Sequence, residues 1–289
     1  MIQSGDYIID DLNFDVTSRP VDRDGIEFGR GLIERDYEAY PVGSYAGSVT
    51  FGDLNDELPL IPWEAMPDLI ADKVRNKSQL SDIRNIANNG DPIPSLDQNG
   101  QGYCWFYSVT SAVMLLRAVA GLPYIRLSGH SGAWVIKGGR DQGGWGAAAL
   151  EYVMKNGICP TSIWPEKSMN GGKYNTAANW AEAAKYKVIE GFIDLDEPVY
   201  SRDLSLQQRF TCLLCNIPVI GDRMWWGHST CDMDLVDANP SLPATNPLRY
   251  GVRTWNSWGD RWANNGTGVI TGNKVPAAGV APRAVRFAA

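Results

Sequence analysis

Residues 98–107 read Gln-Asn-Gly-Gln-Gly-Tyr-Cys-Trp-Phe-Tyr (QNGQGYCWFY), a glycine-rich run that ends in one cysteine at the head of an apolar stretch. Beyond Cys104, apolar residues recur at Val109, Val113, Leu116 and Val119 before Gly121 and Pro123, a spacing that predicts a helix from Cys104 to Ala120. A cysteine at a helix N-terminus lies near unpaired N–H groups and the positive end of the helix dipole, which favours thiolate over thiol. The feature is not specific, because buried structural cysteines also begin helices.

A thiolate nucleophile needs a base, and the chain has only two histidines, His130 and His228. His130 lies in RLSGHSGAW, a polar, glycine-flanked stretch that reads as surface loop. His228 begins an apparent strand, HSTCDMDLV, and a strand holds its side chains more tightly. An imidazole serves best as a base when an acceptor holds its other nitrogen, and Asn256 in RTWNSWG is a candidate, with a tryptophan on either side to exclude water. Taken alone, that block also reads as a core strand ending in a turn.

The chain around these residues has 289 positions, 44% hydrophobic and 20% charged, which is globular composition. No window approaches the ~20 apolar residues of a membrane helix, and the opening MIQSGDYIIDDLNFD lacks a secretory signal's basic flank and apolar stretch. The expectation is a cytoplasmic or virion-associated chain with no membrane partner. Five cysteines, an odd number, speak against a disulfide framework. Cys212-Leu-Leu-Cys215 has metal-like spacing but no second pair, so two helix-core thiols are the simpler account and no metal or other cofactor is expected.

The net charge of −7 argues against nucleic acid as a partner. It is unevenly spread: residues 1–95 hold 18 acidic and 8 basic side chains, whereas 96–289 hold 15 and 18. We place a boundary there, with an acidic N-terminal arm and helices over 1–95 and the main domain over 96–289. Within the first part, 1–62 reads as an extended arm or a few edge strands (Tyr7-Ile8-Ile9, Ser48-Val49-Thr50-Phe51), and Trp63 to Asn89 as one or two amphipathic helices. Such an arm would either dock on the weakly basic domain or stay solvated.

In the main domain, further helices are expected over Ala147–Lys155, Ala177–Lys185 and Ser205–Cys215. Strands are expected over Ile217–Ile220, Ser229–Val236, Gly251–Trp255, Thr267–Thr271 and Arg283–Phe287. Helices first and strands second describe an α+β chain with a site in the cleft between its halves.

Four blocks, in order, resemble the papain-like cysteine proteases. Gln98 precedes the Cys104-Trp105 pair by six residues, and Gly143-Gly144-Trp145 leads into a helix followed by NGICPTSIWPE. His228 and Asn256 then lie 124 and 152 residues beyond Cys104, close to the ~130–150 of that family, and NSWGDRWANNG resembles its Asn-Ser-Trp-Gly block. The resemblance covers about 96–289. It implies a two-lobed fold, a helical lobe followed by an antiparallel β-barrel-like lobe, and a cysteine endopeptidase acting on a peptide or protein in extended conformation.

By that resemblance Cys104 is the nucleophile, His228 its base, Asn256 the residue that orients the imidazole, and Trp258 its cover. The Gln98 amide and the Cys104 backbone N–H would form the oxyanion hole, Gly143, Gly144 and Trp145 would bind substrate, and the thiol and imidazole would exist as an ion pair. The chain departs from the family at Gln101, where a disulfide cysteine is usual, and at bulky Tyr103, which would narrow the groove. Asp237–Pro247 reads as an inserted loop beside the site, and no long charged inhibitory helix is visible in 1–95. Two other readings stand beside the peptidase: a structural or assembly protein of a larger particle, docked through 1–62 and for instance a virion, and an amidase acting on cell-wall peptides.

Overall fold

The computed structural model describes residues 2, 4–17, 25, 27–54, 56–188, 190–195 and 201–284. In chain order the arm gives β1 (Ile8–Ile9), α1 (Phe14–Thr17), β2 (Ser48–Thr50), α2 (Met66–Asn76) and α3 (Leu80–Arg84). The helices α4 (Cys104–Val119), α5 (Gly129–Ile136), α6 (Gly146–Asn156), α7 (Gly171–Tyr174) and α8 (Ala177–Ala183) follow. Then come β3 (Phe192–Leu195), α9 (Arg202–Leu214), β4 (Val219–Arg223), β5 (His228–Asp237), β6 (Tyr250–Trp255), β7 (Thr267–Ile270) and β8 (Gly279–Pro282).

The helix α4 is buried on nearly every side, from Cys104 to Arg117, as expected of a helix apolar all round. It carries the helical half, with Val109, Val113 and Leu116 in a core shared with Leu150 and Val153 of α6. The other half is an eight-stranded sheet in the order β1-β7-β6-β5-β4-β8-β3-β2, whose middle, β5, is buried along its whole length. Strands β4 to β8 pair antiparallel, and β5 packs on α4, where Ser108 and Ser229 hydroxyls meet at 2.9 Å. Under the sheet, Asp232 bridges two buried guanidiniums, Arg209 and Arg223, each 2.5 Å away. Such a triad is retained only while every charge in it stays paired.

The arm closes both ends of the sheet. β1 runs parallel to β7 and β2 parallel to β3. Asp6 binds Arg253 at 2.6 Å, and Arg35 forks onto buried Asp194 at 2.7 Å. Two expected elements shift. Within RLSGHSGAW the chain is helical from Gly129 on rather than looped, because Gly129 and Gly132 let α5 lie directly against Tyr107 and Phe106, and that packing outweighs poor helix propensity. The strand expected over Arg283–Phe287 runs into 285–289, outside the described residues, and β8 is the last strand among the described residues.

Candidate active site

Cys104 is the first residue of α4, and Tyr103 before it makes no side-chain cap, so no side chain occupies the first-turn N–H groups from that position. His228 is the first residue of β5, and Asn256 follows the last residue of β6, the neighbouring strand. Antiparallel pairing of β5 and β6 therefore brings two residues 28 apart in sequence to a 2.7 Å contact between His228 Nε2 and Asn256 Oδ1. Oδ1 can only accept, and it also takes the Ser257 N–H at 2.7 Å, so the hydrogen-bond pattern assigns the proton to Nε2 and leaves Nδ1 without a partner among the described residues. Trp258 lies over the imidazole with centroids 4.5 Å apart, and Trp226 closes its edge at 4.9 Å.

Gln98 is fixed from the same turn: its N–H donates to Ser257 O at 2.9 Å and its Oε1 accepts from the Ser257 hydroxyl at 2.5 Å. Its Nε2 is thereby aimed at Gln101 O (2.6 Å) and at Gly29 O (3.0 Å). Thus His228, Asn256, Gln98 and Trp258 are joined through one turn, and Cys104 meets the backbone N–H of Ser229, the residue after His228. Gly143, Gly144 and Trp145 form the opposite rim, leading into α6.

The cleft between these rims is filled by residues 28–33 of the arm, Phe-Gly-Arg-Gly-Leu-Ile. Phe28 stacks on Trp258, and Gly29 O accepts from both Gln98 Nε2 and Trp258 Nε1 (2.9 Å). Leu32 N–H donates to Gly227 O at 3.1 Å. Gly144 binds the arm twice, donating to Gly31 O at 2.9 Å and accepting from Ile33 N–H at 3.0 Å. A Cβ on Gly29 would stand 2.1 Å from Gln101 O, and one on Gly31 2.0 Å from Gly102 O, so only glycine permits this approach.

Covering the site changes its electrostatics. Burial pushes the Cys104 thiol up to about 12, although backbone N–H groups of Ser229 and Gly31 meet it, and burial drives His228 down to about 3 against the Asn256 bond. Cys104 and His228 make no hydrogen bond to each other. The ion pair implied by the resemblance is therefore not the state of this covered cleft, where desolvation favours a neutral thiol and a neutral imidazole.

Further expectations need correction. His130 is buried in α5, bonded through Nδ1 to the Tyr107 hydroxyl, with Nε2 3.2 Å from the Gln101 side chain. Tyr103 does not narrow the groove; it is buried, and its hydroxyl donates to Arg140 O at 2.9 Å. In place of a disulfide at Gln101, the nucleophile loop is tied by Gly102 N–H to Asp141 Oδ1 at 2.7 Å. The 237–247 loop leaves the far end of β5, roughly 30 Å along the strand from His228. Of the paired motif thiols, Cys212 is buried but Cys215 is exposed at the end of α9.

Sequence reasoning missed three contributors. Ser257 lies inside NSW, Trp226 inside MWWGHS, and the plug inside FGRGLI, whose alternate glycines are its one signal.

The sequence matches no family model and no curated protein. Among solved structures it is similar to the procathepsin L2 proteinase of Tenebrio molitor larval midgut, at 17% identity and TM-score 0.56 over 96% of this chain and 83% of that one. It is also similar to the ragweed pollen allergen Amb a 11, a cysteine protease in its proform, at 15% identity and TM-score 0.51 over 86% and 72%. Procathepsin L 3 of the same beetle gives 17% and 0.51 over 71% and 68%. These likenesses show the fold: the chain has the papain-like, two-lobed α+β architecture.

Proposed function

We propose that the chain is a cysteine endopeptidase held latent by its own residues 28–33. The observation that carries the reading is that the cleft already holds an extended peptide backbone over Cys104, with a carbonyl on Gln98 Nε2 and both Gly144 backbone groups satisfied.

In the uncovered enzyme His228 Nδ1 takes the Cys104 proton and the thiolate attacks the scissile carbonyl. The oxyanion forms against Gln98 Nε2 and the Cys104 N–H. Collapse breaks the C–N bond, the imidazolium gives its proton to the leaving amine, and water, deprotonated by His228, releases the acid and restores the thiol. Asn256 keeps the imidazole in the required tautomer, and Trp258 and Trp226 keep water from that bond. No metal or organic cofactor enters this scheme. A role in a larger assembly through 1–62 rests on the sequence alone, and the described strands of that stretch pair within their own chain.

The test is labelling with an epoxysuccinyl peptide, read by mass spectrometry against a Cys104→Ala control. Modification at Cys104, faster once the arm is loosened, is expected. A folded protein whose Cys104 resists the reagent under both conditions would falsify the peptidase reading.

A further inference from the structure

A cavity of about 80 Å³ stays open where Leu32 and Ile33 of the arm cross the rim. On the catalytic side its walls include Trp145, Ala147, Asp222, Ala278 and Gly279, three of them too small to close it, and Arg35 of the arm, held by Asp194, lines the other side. Asp222 stands on β4 opposite Ser229 in register, and Ser229 both follows His228 and offers its N–H to Cys104. The carboxylate thus stands on the strand next to the one that carries His228 and Ser229, and it lines the same cavity as Leu32.

Its bonding is incomplete. Oδ2 accepts from Gly146 N–H at 3.2 Å, and the Ser229 side chain also hydrogen-bonds to the carboxylate, but Oδ1 is buried without a partner among the described residues. The nearby guanidiniums of Arg209 and Arg223 do not supply one, since both are turned onto Asp232 at 2.5 Å. A buried carboxylate oxygen with no donor costs free energy that a cationic ligand would recover. Desolvation accordingly raises the Asp222 pKa. Leu32 is the wrong occupant, too short and uncharged, which suits a plug that must be displaced.

We propose that Asp222 selects lysine or arginine on the peptide residue that takes the place of Leu32, with Trp145 as the wall for its aliphatic stem. The inference rests on the peptidase reading and adds the substrate class to it.

Three dipeptidyl acyloxymethyl ketones that differ only at the residue meeting this pocket, as lysine, leucine or glutamate, test it through the rate of Cys104 labelling. The full chain is used as wild type and as Gly31→Ala. Lysine is expected to label at least about tenfold faster than leucine, and glutamate slowest. Asp222→Asn should collapse the lysine-to-leucine ratio towards one, and Asp222→Glu should restore it. A leucine probe as fast as lysine, or a ratio untouched by Asp222→Asn, overturns the specificity while leaving the peptidase standing. Failure of all three probes on both proteins overturns the two together.

Discussion

Phe28 lies flat on Trp258, ring centroids 4.6 Å apart and planes 4° from parallel, so the residue that covers the His228–Asn256 bond is also the anchor of the plug. Three residues on, Gly31 has no room for a side chain, because its Cβ would meet the backbone carbonyl of Gly102 at 2.0 Å. Backbone cannot swing aside as a side chain does. Gly31→Ala should lift the plug and raise Cys104 alkylation at least about tenfold, the scale of a 1–3 kcal/mol overpacking cost. Gly52→Ala, whose Cβ would come no closer than 3.7 Å to its nearest neighbour, is the control and should change nothing. Equal rates for the two variants would mean that the plug is no barrier.

The same lift should move the thiol. With the cleft covered, burial holds Cys104 near 12, so the thiolate fraction and the alkylation rate climb about tenfold per pH unit through pH 9. Uncovering removes the desolvation, which is the largest cause of the shift, and the pKa falls. The Gly31→Ala profile should therefore level off at a lower pH than the wild-type profile, as iodoacetamide kinetics from pH 6 to 10 would record.

How much of this was legible beforehand follows from what each signal depends on. The blocks that carry Cys104, His228, Asn256 and Gln98 stand out in the sequence by their fixed spacing, and α4 by an apolar period that is local. The α5 helix does not, because it exists by packing its glycines on Tyr107 and Phe106, a contact between segments that local propensity does not carry. Nor does the plug, whose meaning lies in the backbone of Gln101 and Gly102, about 70 residues on. Asp222 sits in Val-Ile-Gly-Asp-Arg, where one acid in a short strand has no meaning until Ser229 and Gly146 are placed beside it.

Asn256→Ala separates orientation from binding. The variant loses the 2.7 Å contact that fixes the imidazole, but no group that touches the arm backbone, which follows the peptide path. We expect kcat to fall about 10²-fold with KM little changed, the size of a lost general-base alignment. Equal losses in both parameters would show that Asn256 shapes the cleft rather than the base.

Both histidines are buried, and burial lowers His130 to about 4 and His228 to about 3. In the unfolded chain they titrate near the ordinary 6.5, so below that pH the unfolded state binds more protons and stability falls with falling pH. The window runs from about 6.5 down to the folded values. At pH 5 each imidazole should have cost roughly 2 kcal/mol relative to pH 7.5, or about 4 for the pair, by that linkage. Asp222 and Asp234, raised by burial, oppose this, because a carboxyl that binds its proton more tightly when folded gains stability as pH falls. Urea midpoints from pH 5 to 7.5 should therefore decline towards acid. The slope should be shallower in His130→Asn, which removes one titrating ring and leaves the His228 pair in place. A slope unchanged by His130→Asn would mean that His130 takes up its proton in the folded chain, against the burial seen in α5.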